Sequence, residues 1–230
     1  MFKQLEIFGP KVDAFFVPDN HLGVPALSSV DIGVEIKRAG FKAIVGLTAR
    51  DRNLLRFKSD LMTLQAHAIE EVLFLYGDDI VEGRSSLNVR KMLSESAGYH
   101  LRRGAVATIG KPLRWRERAD FIFTQLEFVR ARPGYWRESQ SFSQPLYCGV
   151  IALPEESLAR KVVGNIPGLN VPPGYFSAFA QDPEAGFKAA IEELDDLYRS
   201  GVDGAQLVVP AGRRRFAEML TEWLHDRIQK

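Results

Sequence analysis

The chain is short of the features that most directly declare a function. One of its 230 residues is cysteine, Cys148, which excludes an internal disulfide and any thiolate zinc spacing. No apolar run approaches the roughly 18 residues that span a bilayer; VLFLY at 72–76 is among the longest, and no membrane partner is expected. The opening MFKQLEIFGP lacks the charged-then-apolar pattern of a secretory signal, so a cytoplasmic location is the expectation. An excess of one charge is missing too. Thirty basic residues against 29 acidic leave +1, which excludes an acidic or basic tail protein. There is no Gly-rich dinucleotide fingerprint, no phosphate loop ending in Gly-Lys-Ser/Thr and no nucleophile-elbow serine. His21, His67, His100 and His225 show no ligand spacing, and no metal is expected.

What is present is 46% hydrophobic residues, enough for a sizeable core, and a charge that is locally uneven. Between Arg84 and Arg118 nine basic residues stand against Glu95 and Glu117. A solvated basic face is the plain explanation, and a site for an anionic small molecule is the functional one. Nucleic acid ranks lower as a partner, because no aromatic residues interleave with basic motifs and the pI is only about 7.9.

Short apolar runs recur along the chain and predict strands at 5–8, 14–18, 43–48, 71–77, 104–109, 120–126, 146–153 and 205–210. Their continuous apolarity suits strands covered on both faces. Helical spacing fills the intervals. Ser29 opens one segment that Gly40 stops, residues 52–69 form another, and Ser86 precedes a third. Asp182-Pro183 starts a helix with Phe187, Ile191, Leu194 and Tyr198 on one face, and Arg213–Arg215 begin the last. Eight strands alternating with helices imply an α/β fold, one (β/α)8 TIM-type barrel domain over residues 1–230. Only Gly9 to Asp13 separate the first two strands, too few for a parallel crossover. The first strand is therefore expected to be irregular or antiparallel.

Ligands of such barrels bind at the carboxyl ends of the strands. The polar clusters there are LTARDRN (47–53), LYGDD (75–79) and FTQLEF (123–128). Taken singly, each has a bland explanation: a helix cap at Asp51 or Asn53, a turn at Gly77-Asp78, a satisfied polar group inside a strand. Their wording, with LEIFGPK (5–11), FFVPDN (15–20), VLFLYGDD (72–79), ADFIFTQLEF (119–128), GVIALP (149–154) and IPGLNVPPGYF (166–176), resembles the methylenetetrahydrofolate reductase family in order and spans most of the chain. The resemblance implies a flavoenzyme that interconverts 5,10-methylenetetrahydrofolate and 5-methyltetrahydrofolate by hydride transfer through FAD, with NAD(P)H as reductant. It matches Glu6 to the acid, with Asp19 as the alternative. Asp78 matches the carboxylate that tolerates cationic charge. Thr48, Tyr76, Gly77 and Asp78 fall at flavin contacts, and Gln125 at the pterin contact. Phe176, or its neighbours Tyr175 and Phe179, would stack on the aminobenzoyl ring. Asp78 and Gln125 are then expected to converge on one cavity. Family members are often oligomeric, so a homo-oligomer is an expectation too.

The chain also departs from that pattern. Gly46 replaces a histidine, Tyr76 an arginine, and VATIGKP (106–112) runs almost directly into LRWRERAD (113–120), which shortens the family's FAD-contacting loop. Basic residues of 102–118 could hold a flavin diphosphate instead. The alternative reading is a flavin-free folate-binding barrel that acts as a carrier or methyltransferase partner.

Overall fold

The structure is a computed structural model that describes residues 2–20, 24–50, 52–77, 87–126, 128, 132–166, 169 and 171–228. Among the described residues, seven strands are hydrogen-bonded side by side in sequence order: β1 (Phe15–Val17), β2 (Ala43–Thr48), β3 (Glu71–Leu75), β4 (Arg102–Ala107), β5 (Phe121–Leu126), β6 (Leu146–Ile151) and β7 (Gly204–Val208). The β1–β2, β2–β3, β3–β4 and β6–β7 pairs are parallel. Sequential order, parallel pairing and intervening helices are the (β/α) barrel class that the apolar pattern predicts.

One predicted strand is a helix. Residues 5–8 lie in α1 (Phe2–Phe8), followed by a 3-10 turn at Gly9–Lys11. Leu5 and Phe8, three apart, are its buried residues, and α1 packs on the last helix, α9 (Arg213–Ile228). A run of four apolar-rich residues cannot tell a strand from one helical turn. The short connection after it therefore needs no hairpin, and β1 pairs parallel with β2.

The chain forms two compact units. The β1–β4 unit comprises Val12–Ala107 and Pro112–Ile122; the β6–β7 unit comprises Met1–Lys11, Thr108–Lys111 and Phe123–Lys230. In the β1–β4 unit, α2 (Ser29–Arg38), α3 (Leu54–Ala66) and α4 (Val89–Glu95) cover the strands. Helix α2 lies close on β2: a Cβ on Gly33 would come within 2.4 Å of Val45 Cγ2. Phe57, Leu61 and Leu64 of α3 are fully buried, with the Phe57 ring edge-on to Phe74. Each such side chain contributes about 1.5–3 kcal/mol through removal from water. Helix α3 is capped by Asn53, whose side chain accepts from Arg56 N–H at 2.8 Å, the bland role open to it in the sequence. Helix α2 is capped by Ser28 rather than Ser29, because Ser29 is buried and donates to the Gly46 carbonyl at 2.8 Å.

In the β6–β7 unit, α5 (Arg132–Gln140), α6 (Glu156–Asn165), the four-residue α7 (Tyr175–Ala178) and α8 (Ala185–Arg199) precede β7 and α9. The buried apolar face of α8 is Phe187, Ala190, Leu194 and Leu197, so Tyr198, predicted to be inside, is exposed. Asp182 does not cap α8 directly; its Oδ1 accepts from Glu184 N–H at 2.9 Å, one turn ahead. Among the described residues, no helix is long and apolar enough to cross a membrane.

Candidate functional site

In the β1–β4 unit, the carboxyl ends of β1 and β2 are joined by polar side chains. Asp19, two residues past β1, is buried. Its Oδ2 accepts from Thr48 N–H at 2.8 Å, from the Thr48 hydroxyl at 2.7 Å and from Arg52, while Oδ1 accepts from Ser29 Oγ at 3.4 Å. Arg52 continues the chain, donating from Nε to Asp60 Oδ2 at 2.8 Å, and Arg56 meets the other Asp60 oxygen at 2.9 Å. Burial alone would lower the Arg52 pKa, but hydrogen bonds and charge from Asp19 and Asp60 raise it above its ordinary value. A guanidinium in this position is permanently charged and ties two carboxylates, two strand ends and α3 together.

This arrangement places two predicted site residues in a structural network. The Thr48 hydroxyl bonds Asp19 and the residue is 2% exposed, so its side chain faces no solvent. Asp19 uses both oxygens as acceptors. Glu6 lies exposed on α1 rather than at a strand end. Asp78, together with Asp51 and His21, falls outside the described residues.

At the carboxyl end of β3, the backbone ladder continues past the strand: Ala49 N–H donates to Leu75 O at 2.8 Å and Arg50 N–H to Tyr76 O at 3.1 Å. Tyr76 is 40% exposed and sets its ring edge-on to Trp115, centroids 6.3 Å apart. Gly77 has φ +94, and a Cβ there would lie 2.9 Å from Arg50 Cβ. Beside β4, Arg116 donates from Nε to the Val106 carbonyl at 2.7 Å and lays its guanidinium 4.4 Å from the Trp115 centroid.

The basic stretch of the sequence is split in two by this geometry. At the amino end of β4, Arg102 pairs with Glu71, and Arg103 grips Asp120 with Nε at 2.8 Å and Nη2 at 3.1 Å. Partial burial pushes the Asp120 carboxyl up, but the Arg103 side chain and backbone N–H bring it below the ordinary carboxylate range. Arg114, Arg116 and Arg118 occupy the 3-10 turn after β4 and have no carboxylate partner among the described residues.

In the β6–β7 unit, Gln125 is the penultimate residue of β5 and is exposed. Its Oε1 accepts from the Thr108 hydroxyl at 3.4 Å, which leaves the amide NH2 open among the described residues. The next residue, Leu126, points to the other face of the strand. It packs in an apolar cluster with Phe128, Ile151, Leu153, Val171, Tyr175, Phe176, Phe179 and Val208. Leu126, Ile151 and Val208 are the last residues of β5, β6 and β7, so the cluster sits at the carboxyl ends of these strands. Phe176 and Phe179 are half-buried, with Tyr175 between them at 5.5 and 5.7 Å. Arg160 stacks over the Phe176 ring at 4.3 Å. Gln125 and the α7 aromatics thus share one end of β5 but lie on opposite faces of it.

Of the three candidate aromatics, Tyr175 is the most unusual in the structure. It is 6% exposed, and its hydroxyl has no hydrogen-bond partner among the described residues. An orphaned buried hydroxyl costs about 1–3 kcal/mol. Burial, with the negative charge of Glu193, pushes the phenol up to about 12. No sequence pattern signals this, because orphaning depends on what surrounds the ring.

A groove of about 350 Å³ opens elsewhere in this unit, lined by Ile191, Glu192, Asp195, Asp196, Arg199 and Trp223 of α8 and α9. It belongs to the outer helical layer, and its Asp195 already takes Arg199, Arg227 and the Trp223 indole N–H. The Arg213–Arg215 triple is also engaged in part, Arg215 by Glu184 and Glu218.

No family model matches the chain, and no curated protein sequence matches it. Solved structures do. A protein from Clostridium thermocellum, described as binding two copies of 5-methyl-5,6,7,8-tetrahydrofolic acid, superposes with a TM-score of 0.65 over 98% of this chain and 86% of that one, at 11% identity. A tryptophan synthase complex from Pyrococcus furiosus gives a TM-score of 0.52 over 99% and 90%, at 9% identity. At such identities the likeness speaks for the fold, and it is a barrel fold that this chain shares with them.

Proposed function

We propose that this chain binds a reduced folate, a tetrahydrofolate derivative, at the carboxyl ends of its strands. The observation that carries the reading is Gln125: an exposed amide at the end of β5, inside the motif ADFIFTQLEF, with its NH2 open to a heterocycle edge. The α7 aromatics, at the same end of β5 but on its other face, supply apolar surface for a second ring that extends past the strand end, with Phe176 half-buried. The Clostridium thermocellum protein, described as binding 5-methyltetrahydrofolic acid, lends support through the shared fold.

The finer reading is an oxidoreductase that interconverts 5,10-methylenetetrahydrofolate and 5-methyltetrahydrofolate, and the ordered motifs support it. FAD would supply the hydride transfer. Tyr76 offers an exposed ring at the end of β3, and the cations suited to a diphosphate are Arg114, Arg116 and Arg118 rather than the paired Arg102 and Arg103. The Thr48 side chain does not fit a flavin contact, since its hydroxyl is held by Asp19. With Glu6 exposed on α1 and Asp19 bonded on both oxygens, neither carboxyl stands ready at a strand end as the acid. Folate binding is therefore the reading that the geometry supports best, ahead of the redox reaction.

Titration of 5-methyltetrahydrofolate into the purified chain, followed by calorimetry, tests this. Saturable binding is expected, weakened about tenfold in Gln125→Ala, which corresponds to roughly 1.4 kcal/mol for a lost hydrogen-bonded contact. Binding that never saturates, or that ignores Gln125, overturns the assignment. The colour of the same sample separates the finer readings: yellow protein bleached by 5-methyltetrahydrofolate supports the redox reaction, and colourless protein that binds folate supports a carrier.

A further inference from the structure

Tyr175 is more than nine-tenths buried and its hydroxyl is unpartnered among the described residues, yet the residue packs with Leu126, Phe128, Ile151, Phe176 and Phe179 at the carboxyl ends of strands, where barrels bind ligands. Native folds rarely leave such a donor unmet. The element that carries it is also weakly anchored by its own sequence. Helix α7 has four residues, no side-chain cap, and a start at Gly174 with φ +81. A single helical turn does not hold itself together, so α7 keeps its place through the packing of its aromatics.

We propose that Tyr175 is a ligand-positioning residue. In this proposal its hydroxyl donates a hydrogen bond to a neutral carbonyl oxygen on a flat ring, which enters the aromatic cluster as α7 shifts. The inference rests on the folate reading for its biological ligand, since a reduced folate carries such carbonyls on its ring systems. The choice of a neutral acceptor comes from Glu193, a buried carboxylate whose charge acts on the phenol. A carboxylate or phosphate brought to the hydroxyl would face that charge, whereas an amide or ring carbonyl would not. An incoming ring would meet aromatic surface there, since Phe128 lies tilted at 5.0 Å and Phe176 edge-on at 5.5 Å from the Tyr175 ring.

The test uses the full chain and its Tyr175→Phe variant with two probes, 5-methyltetrahydrofolate and 4-aminobenzamide, and 4-aminobenzoate as the charged control. Tyr175→Phe is expected to melt at or above the wild-type temperature, because it removes an orphaned hydroxyl. It is expected to bind both neutral-carbonyl probes about tenfold more weakly, or about 1.4 kcal/mol. The wild type should prefer the amide to the benzoate by a similar factor. A variant whose affinities stay within twofold of wild type overturns the proposal and makes Tyr175 a packing residue. If wild type ignores 5-methyltetrahydrofolate but takes 4-aminobenzamide through Tyr175, the folate reading fails and this one stands. If it takes neither probe, both fail.

Discussion

At the carboxyl ends of β1 and β2, buried polar side chains answer one another: Asp19 meets Thr48, Ser29 and Arg52, and Arg52 goes on to Asp60. At the carboxyl ends of β5, β6 and β7, in the other compact unit, the surroundings are aromatic and aliphatic, and the Tyr175 hydroxyl meets no partner among the described residues. Both regions bury polar atoms where barrels place ligands. A network that satisfies its own members has the chemistry of a staple, because any ligand would have to break existing bonds to join it. A donor left over in an apolar cluster loses nothing by meeting an incoming acceptor. The contrast directs the search for a binding site toward Gln125 and α7 and away from Thr48 and Asp19.

The largest effect that would sharpen this contrast lies in the staple. Arg52→Ala leaves the buried Asp19 carboxylate without its guanidinium and Asp60 with Arg56 alone, and should cost about 3–5 kcal/mol in urea unfolding. Replacing Asp19, Arg52 and Asp60 together with apolar residues of similar volume should recover most of that loss. If Arg52→Ala costs less than about 1 kcal/mol, the network is not what holds these strand ends.

A smaller effect is expected from the half-exposed pair at the foot of the same unit. Asp120 titrates below the ordinary carboxylate range in the folded chain because Arg103 stabilises its anion. Its contribution is therefore complete above the unfolded carboxyl pKa, about 4, and is lost as pH falls through the lower folded value. Asp120→Asn should cost about 1 kcal/mol at neutral pH, discounted for solvent screening. Unfolding midpoints taken from about pH 6 down to about pH 3 should fall less steeply in the variant than in wild type. Parallel slopes would remove Asp120 from the account of acid stability.

The smallest effect has the opposite sign. Tyr175→Phe should leave stability unchanged or raise it by up to about 1 kcal/mol at neutral pH. The folded phenol lies at about 12, above its ordinary value of 10.0, so the folded state favours the neutral ring. The resulting stabilisation is present below pH 10.0 and is lost as pH rises toward about 12, so wild type should weaken over that range and Tyr175→Phe should not. A destabilised phenylalanine variant would mean that the hydroxyl is already satisfied, and the distinction between the two regions would then disappear.

Much of the architecture was written in local sequence. Continuous apolar runs at 43–48, 71–77, 120–126 and 146–153 contain β2, β3, β5 and β6, since a strand covered on both faces needs little but apolar side chains. Residues 5–8 misled because four apolar-rich residues fit one turn of helix as well as a strand, and packing against α9 made the choice. The site divides in the same way. The placement of Gln125 at the end of β5 was legible, since the position of a polar residue at the end of a strand follows from the strand alone.

What the tertiary structure alone decided is which polar and charged groups are taken. Arg102 and Arg103 read like Arg114 and Arg116 in sequence, yet the first two are neutralised by Glu71 and Asp120 and the others meet no carboxylate among the described residues. Thr48 and Tyr175 both bear hydroxyls near strand ends, and among the described residues only the first has a partner. Secondary structure follows from the periodicity of neighbouring side chains, which the chain carries along its length. Hydrogen-bond satisfaction depends on groups distant in sequence meeting within about 3 Å, and only the folded chain brings those groups together.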